Sequence, residues 1–263
     1  MNIKKLTSKD SNSVFLVEDI TPSFANTLRR LMMAEVPVLA IEDIEFKKNT
    51  SALYDEMVAH RLGLVPIKTD LKSYNLPKDC KCNGEGCAQC QLKLTLSVSK
   101  SGYAYASDLK SKDPKAKPIY PKMPIVKLLS GQKIDLEATA IMGTGLDHAK
   151  FSPCLVYYKH LPLIKIKNVS TKDAEKIVNI CPKNLFESKG NKLTLKSDKI
   201  TDCHLCEACS DVSNDIEISE DKSKFIFYLE SWGQLSPKEI ITEAADILDK
   251  KLDDFQEKIK SLK

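Results

Sequence analysis

Arginine is nearly absent from this chain: of forty basic residues only three, Arg29, Arg30 and Arg61, carry a guanidinium. Lysine is the default cation, so those three positions are where a planar, two-pronged partner would be wanted. Also missing is any run of about 18 apolar residues, which excludes a membrane-spanning helix. The opening MNIKKLTSKDSN has no apolar stretch of the signal-peptide kind, and a soluble, cytoplasmic protein is expected. The net charge of +4 falls short of the basicity of a dedicated nucleic-acid module, so little or no direct nucleic-acid binding is expected. Catalytic patterns are lacking too. Glu56 and His60 stand four apart but make no HExxH, Gly143-Thr144-Gly145 is too short for a phosphate loop, and no nucleophile elbow appears. The chain is expected to carry no catalytic residue of its own.

What is present has an α+β rhythm. Ser13 to Ile20 reads as a strand, and Thr21-Pro22 then offers an N-cap and a first-turn proline to a helix over 23–36. Phe24, Leu28, Leu31 and Met32 make its apolar stripe, and Pro37 ends it. Residues 37–46 return to strand character, and a second helix is expected from a cap at Ser51. Residues 92–99 alternate as a strand, whereas Pro114, Pro118, Pro121 and Pro124 mark a linker or long loop. Strand alternation resumes over 134–145, 152–161 and 224–231. The polar, lysine-rich stretch 171–211, with four cysteines, reads as a small separate domain.

Nine cysteines are an odd count, and eight of them follow metal-ligand spacing. Cys181 is followed by proline, and Cys203, Cys206 and Cys209 form C-x2-C-x2-C. Bacterial ferredoxins use C-x2-C-x2-C-x3-C-P twice, the fourth cysteine of each run serving the other run's cluster. Counted at that spacing, the first run has lost its ligands at Thr171, Ala174 and Ile177, and the second has lost its fourth at Ser213. The four that survive are the set for one iron–sulfur cluster, a 4Fe-4S cubane, or a 3Fe-4S form if Cys206 does not bind. A zinc knuckle or a disulfide pair is the competing reading. Cys80, Cys82, Cys87 and Cys90 lie within eleven positions, with Gly84 and Gly86 for the tight turn. They suit one structural zinc, or alternatively two disulfides or free thiols. Cys154 reads as a buried small hydrophobe.

The chain closes on a long helix. Ser236, Pro237 and Glu239 spell a capped start with a capping box. Ile241, Ala245, Leu248, Leu252, Phe255, Ile259 and Leu262 then recur at steps of four and three, a seam made to lie against another helix. The seam could be covered by the chain's own sheet or by a partner. At 1.5 Å per residue the helix would overhang a small domain, which favours the partner.

With these segments in hand, the chain resembles the archaeal branch of a family of DNA-directed RNA polymerase assembly subunits, the family of the bacterial α-subunit amino-terminal domain and the third-largest eukaryotic polymerase II subunit. The resemblance rests on NTLRRLMMAEVPVLAIEDIEF from Asn26, NTSALYDEMVAHRLGLVPI from Asn49, the Cys80 loop, GTGLDHAKFSP from Gly143 and the terminal helix. It implies a split dimerisation domain of antiparallel strands and long helices (1–40 and 222–263) and an inserted mixed or β domain (41–165). A ferredoxin-like iron–sulfur domain (166–221) completes the set. It further implies pairing with the small subunit L, a platform for the large catalytic subunits, and contacts to other small subunits. Arg29, Arg30 and Arg61 all fall in the two most specific motifs, where carboxylates of large subunits, or carboxylates of this chain, would hold them. From the cysteine spacing alone, a single-cluster electron-transfer protein is the alternative function.

Overall fold

The computed structural model describes residues 1–189 and 192–262. In chain order the elements are β1 (Asn2–Lys9), β2 (Asn12–Glu18), α1 (Pro22–Ala34), β3 (Val38–Asn49), α2 (Asp55–Gly63), β4 (Gln91–Val98), β5 (Gly102–Tyr105) and β6 (Lys110–Ser111). They continue with β7 (Pro124–Leu128), β8 (Ile134–Gly143), β9 (Cys154–Ile166), α3 (Thr171–Ile180), β10 (Phe186–Lys189), β11 (Lys192–Leu195), β12 (Ile216–Ser231) and α4 (Pro237–Ser261). The chain divides into two compact units. One holds Met1–Ser8, Ser13–Thr27 and Tyr157–Tyr228, and the other holds Lys9–Asn12, Leu28–Val156 and Leu229–Lys263.

The first unit is built on a sheet of order β1-β2-β12-β9. Its aromatic centre follows from the FIF run of β12: Phe225, Ile226 and Phe227 are buried, Phe227 stacks on Phe15 at 5.2 Å, and Tyr158 meets Phe225 edge-on. Beside it, α3 and the β10–β11 hairpin enclose a small core of Ala174, Ile177, Leu185, Phe186 and Leu193 with three cysteines. Among the strands of this sheet, β1 and β12 depart most from the sequence reading. β1 is exposed along its length and has no alternation to betray it. β12 begins at Ile216 rather than Lys224, because main-chain pairing does not require its exposed acidic side chains to alternate.

The second unit holds an antiparallel sheet of order β3-β8-β4-β6. Along β8 the residues of IDLEATAI alternate between buried and half-buried, the period-2 pattern of a strand packed on one face. Val58 and Leu62 of α2 close that face over Leu39, Leu94, Leu96 and Leu136. Helix α2 starts at Asp55, not at a Ser51 cap: Ser51 is held in a turn by Asn49 Oδ1, which accepts from both its N–H and its hydroxyl. A side chain that bonds the local backbone in a turn competes with the helix it might have capped. The proline-rich stretch is a long loop that belongs to this core, except that Pro124, expected in the loop, opens β7. Ala116 is buried, Lys68 N–H donates to Lys117 O at 2.8 Å, and Ile119 N–H donates to Pro66 O at 2.9 Å.

Candidate functional site

The cysteine loop of the second unit is shaped by backbone that few side chains tolerate. Asn83, Gly84 and Gly86 have φ of 50°, 85° and 96°. A Cβ on Gly86 would meet only the movable end of the Gln91 side chain, at 2.5–2.7 Å, so it is the left-handed backbone that calls for glycine there. That turn draws four sulfurs together, with Cys80 to Cys82 and to Cys87 at 3.5 Å, Cys82 to Cys90 at 3.4 Å, and Cys87 to Cys90 at 3.8 Å. Zinc–sulfur bonds of about 2.3 Å in a tetrahedron place sulfurs about 3.8 Å apart. The spacing therefore matches a single-ion cage, and the four ligand atoms all lie within 4.8 Å of one another. In the structure all nine cysteines stand unbridged. The thiols are unequal. The Gly86 N–H bonded to Cys82 helps draw its pKa down to about 6, while burial pushes Cys90 up to about 12. A bound cation would hold all four as thiolates.

In the first unit, Cys181, Cys203, Cys206 and Cys209 line one small cavity with Ile164, Leu185, Phe186 and Ile218. Cys181, Cys203 and Cys209 are buried and Cys206 is exposed. Two non-glycine residues of the CHLCEAC loop, Leu205 and Glu207, sit at φ of 57° and 60°. Left-handed residues of this kind curl a loop so that successive N–H groups point inward, the concavity seen at many anion and iron–sulfur sites. Burial raises the pKa of Cys203, opposed by a hydrogen bond from the Leu205 backbone, and raises that of Cys209 to about 11. The positions Thr171, Ala174 and Ile177, where a first ferredoxin run would place ligands, lie on α3, with Ala174 and Ile177 buried in its apolar face. Lys159 of β9 was invisible to sequence reasoning, being one lysine among many. Its Nζ donates to Cys203 O at 2.8 Å and lies 5.3 Å from the Tyr228 ring centroid.

Helix α4 begins with the expected capping box: Ser236 Oγ accepts from Glu239 N–H at 3.3 Å, and Glu239 Oε2 accepts from Ser236 N–H at 2.7 Å. The first turns pack on the chain's own body through Ile240 and Ala244, both buried. That face is offset by one residue from the heptad seam, in which Ile241 and Leu248 are half-buried and Ala245 is exposed. Beyond Lys250 the helix stands clear, with Leu252 57%, Phe255 62%, Ile259 46% and Leu262 86% exposed. Lys251 pairs with Glu35 at the point of departure. Arg30 and Arg61 are exposed and Arg29 is half-buried. Arg61 Nη2 donates to Pro124 O at 2.6 Å, and Arg29 Nη1 lies 3.7 Å from Met33 Sδ. Among the described residues no helix is long and apolar enough to cross a membrane.

Residues 43–153 match the family described as the RNA polymerase Rpb3/RpoA insert domain. Over nearly its whole length the chain is similar to DNA-directed RNA polymerase subunit Rpo3 of Methanosphaera stadtmanae, at 39% identity over 97% of both chains. It is 36% identical to the Rpo3 subunit of Methanosarcina acetivorans over 97% of both chains, and 36% identical to that of Archaeoglobus fulgidus over 99% of this chain and 98% of the other. None of these names carries an electron-transfer activity, and the single-cluster alternative is not retained.

Proposed function

This chain belongs to the archaeal DNA-directed RNA polymerase subunit Rpo3 family, and from that premise we propose that it serves the polymerase as the piece on which the others are assembled. It is a non-catalytic subunit of that enzyme. The proposed partner of α4 is the small subunit L, the pair then receiving the two large catalytic subunits and other small subunits in the cytoplasm. What carries this reading is the bare seam. Leu252, Phe255, Ile259 and Leu262 are exposed along the last turns of the helix. Burying such side chains is worth about 1.5–3 kcal/mol each before entropic costs, a gain that a helix left in water forgoes. The proposed organisation is a dimerisation domain from 1–40 and 222–263, an insert over 41–165 and a cysteine domain over 166–221. Arg29, Arg30 and Arg61 are proposed to meet carboxylates of the large subunits, where a guanidinium can grip two oxygens at once.

Two metal groups accompany the scaffold in this proposal. Cys80, Cys82, Cys87 and Cys90 would hold a structural zinc, supported by sulfur spacings of 3.4–3.8 Å. Cys181, Cys203, Cys206 and Cys209 would hold one iron–sulfur cluster, supported by their shared cavity and by the left-handed residues of the loop. The exposure of Cys206 leaves the three buried cysteines as the minimal set, the one a 3Fe-4S form would use. When bound, such groups fold and order the segments that ligate them. Co-expression with a candidate subunit L, gel filtration, and an iron, sulfide and zinc count test the whole reading. The expected result is a heterodimer with about four irons and about one zinc per chain. Failure to co-elute contradicts the scaffold role, and iron near one atom per chain contradicts the cubane.

A further inference from the structure

The segment 201–203, which leads into the cysteine loop, is tied to the sheet of its own unit from two strands. From β9, the half-buried Lys159 donates to Cys203 O at 2.8 Å. From β12, Tyr228 donates its hydroxyl to Thr201 O at 3.0 Å. The two anchors are themselves coupled, because the Lys159 ammonium lies 5.3 Å from the Tyr228 ring centroid, and the other residue on that ring, Tyr157, stacks at 4.9 Å. A neutral carbonyl and a ring do not cancel the cost of drawing an ammonium out of water. A nearby negative charge would. The charges close enough to act on Lys159 are the sulfur of Cys203 and the carboxylate of Asp202 on one side, with Lys183 opposing.

We propose that Lys159 is a positioning residue for the iron–sulfur cluster: its ammonium fixes the Cys203 ligand segment against the sheet and offsets the negative charge of the thiolate-bound irons. The inference rests on the cluster reading above. It makes two roles separable, since a purely mechanical clamp would need only a hydrogen-bond donor, whereas charge compensation needs a cation.

The test uses the full chain, purified without oxygen, in wild-type form and as Lys159→Gln, Lys159→Arg and, as a solvent-exposed charge control on α3, Lys176→Met. Iron and sulfide are counted, and the midpoint potential is read from the electron paramagnetic resonance signal during a dithionite titration. Removing a positive charge makes the added electron less welcome. Lys159→Gln is therefore expected to lower the reduced-to-oxidised ratio at fixed potential about tenfold, equal to about 59 mV for one electron. It is also expected to lose iron faster in air. Lys159→Arg and Lys176→Met should keep the wild-type potential. If Lys159→Gln cannot hold iron at all, Lys159→Arg decides: wild-type iron and potential support the charge role, and iron loss overturns it. Normal iron with an unchanged potential in Lys159→Gln overturns the Lys159 role alone. A wild-type chain without iron overturns the cluster and this role together.

Discussion

Gly145 has no room for a methyl group: a Cβ there would lie 2.5 Å from the Met33 carbonyl oxygen and 3.1 Å from the Ala34 Cα, both backbone atoms that cannot swing away. Gly145→Ala is expected to destabilise the chain by roughly 1–3 kcal/mol, read from urea unfolding. Gly63→Ala, whose Cβ would meet only ordinary contacts at 3.5 Å and beyond, should be neutral or slightly stabilising. The sequence around Gly145 shows that it is not a phosphate loop, but nothing local announces a close approach to residues more than a hundred positions away. The cysteines are the opposite case. Ligand spacing is a short-range property, and the four residues that it picks between 80 and 90 are the four whose sulfurs converge. Cys90→Ser is expected to abolish the roughly one zinc per chain predicted for the wild type, while Cys154→Ser leaves it unchanged, as measured by a chromophoric zinc assay after thiol release. Cys154 is buried with no other cysteine among its hydrogen-bond partners, and burial raises its pKa to about 12.

Among the elements, α4 shows most clearly what a linear pattern can and cannot resolve. Its first half offers adjacent apolar pairs, Ile240 with Ile241, Ala244 with Ala245, and Ile247 with Leu248, and so carries two stripes at once. Periodicity alone does not say which stripe faces the chain's own body. The structure turns Ile240 and Ala244 inward. After Lys250 only the second stripe continues, so the exposed seam was legible there and the inner contact was not. The start of the helix was legible because its capping box is local chemistry. Ser236 lowers the pKa of Glu239 by donating to its carboxylate from both the hydroxyl and the backbone N–H. A carboxylate depressed in the folded state stabilises above its unfolded value near 4.5, and that contribution is lost as pH falls through the folded value. Glu239→Gln should therefore shrink the drop in stability between neutral pH and pH below about 4, seen as a flatter pH dependence of the urea midpoint. The Ser51 cap failed for the reverse reason, an equally local hydrogen bond that Asn49 satisfies first.

For the molecule as a whole, the match to Rpo3 subunits along nearly its full length places this chain of two compact units among the subunits of RNA polymerase. The central claim is that the free end of α4 is covered by another subunit. Leu252→Ser combined with Phe255→Ser tests it, because both side chains are exposed in this chain by itself and their loss should leave its own unfolding unchanged. The decisive measurement is the mass, by gel filtration with light scattering, of wild type and double variant each mixed with subunit L. The prediction is a heterodimer for the wild type and a free chain of unaltered melting temperature for the variant; a variant that still pairs, or a wild type that stays alone, contradicts the account.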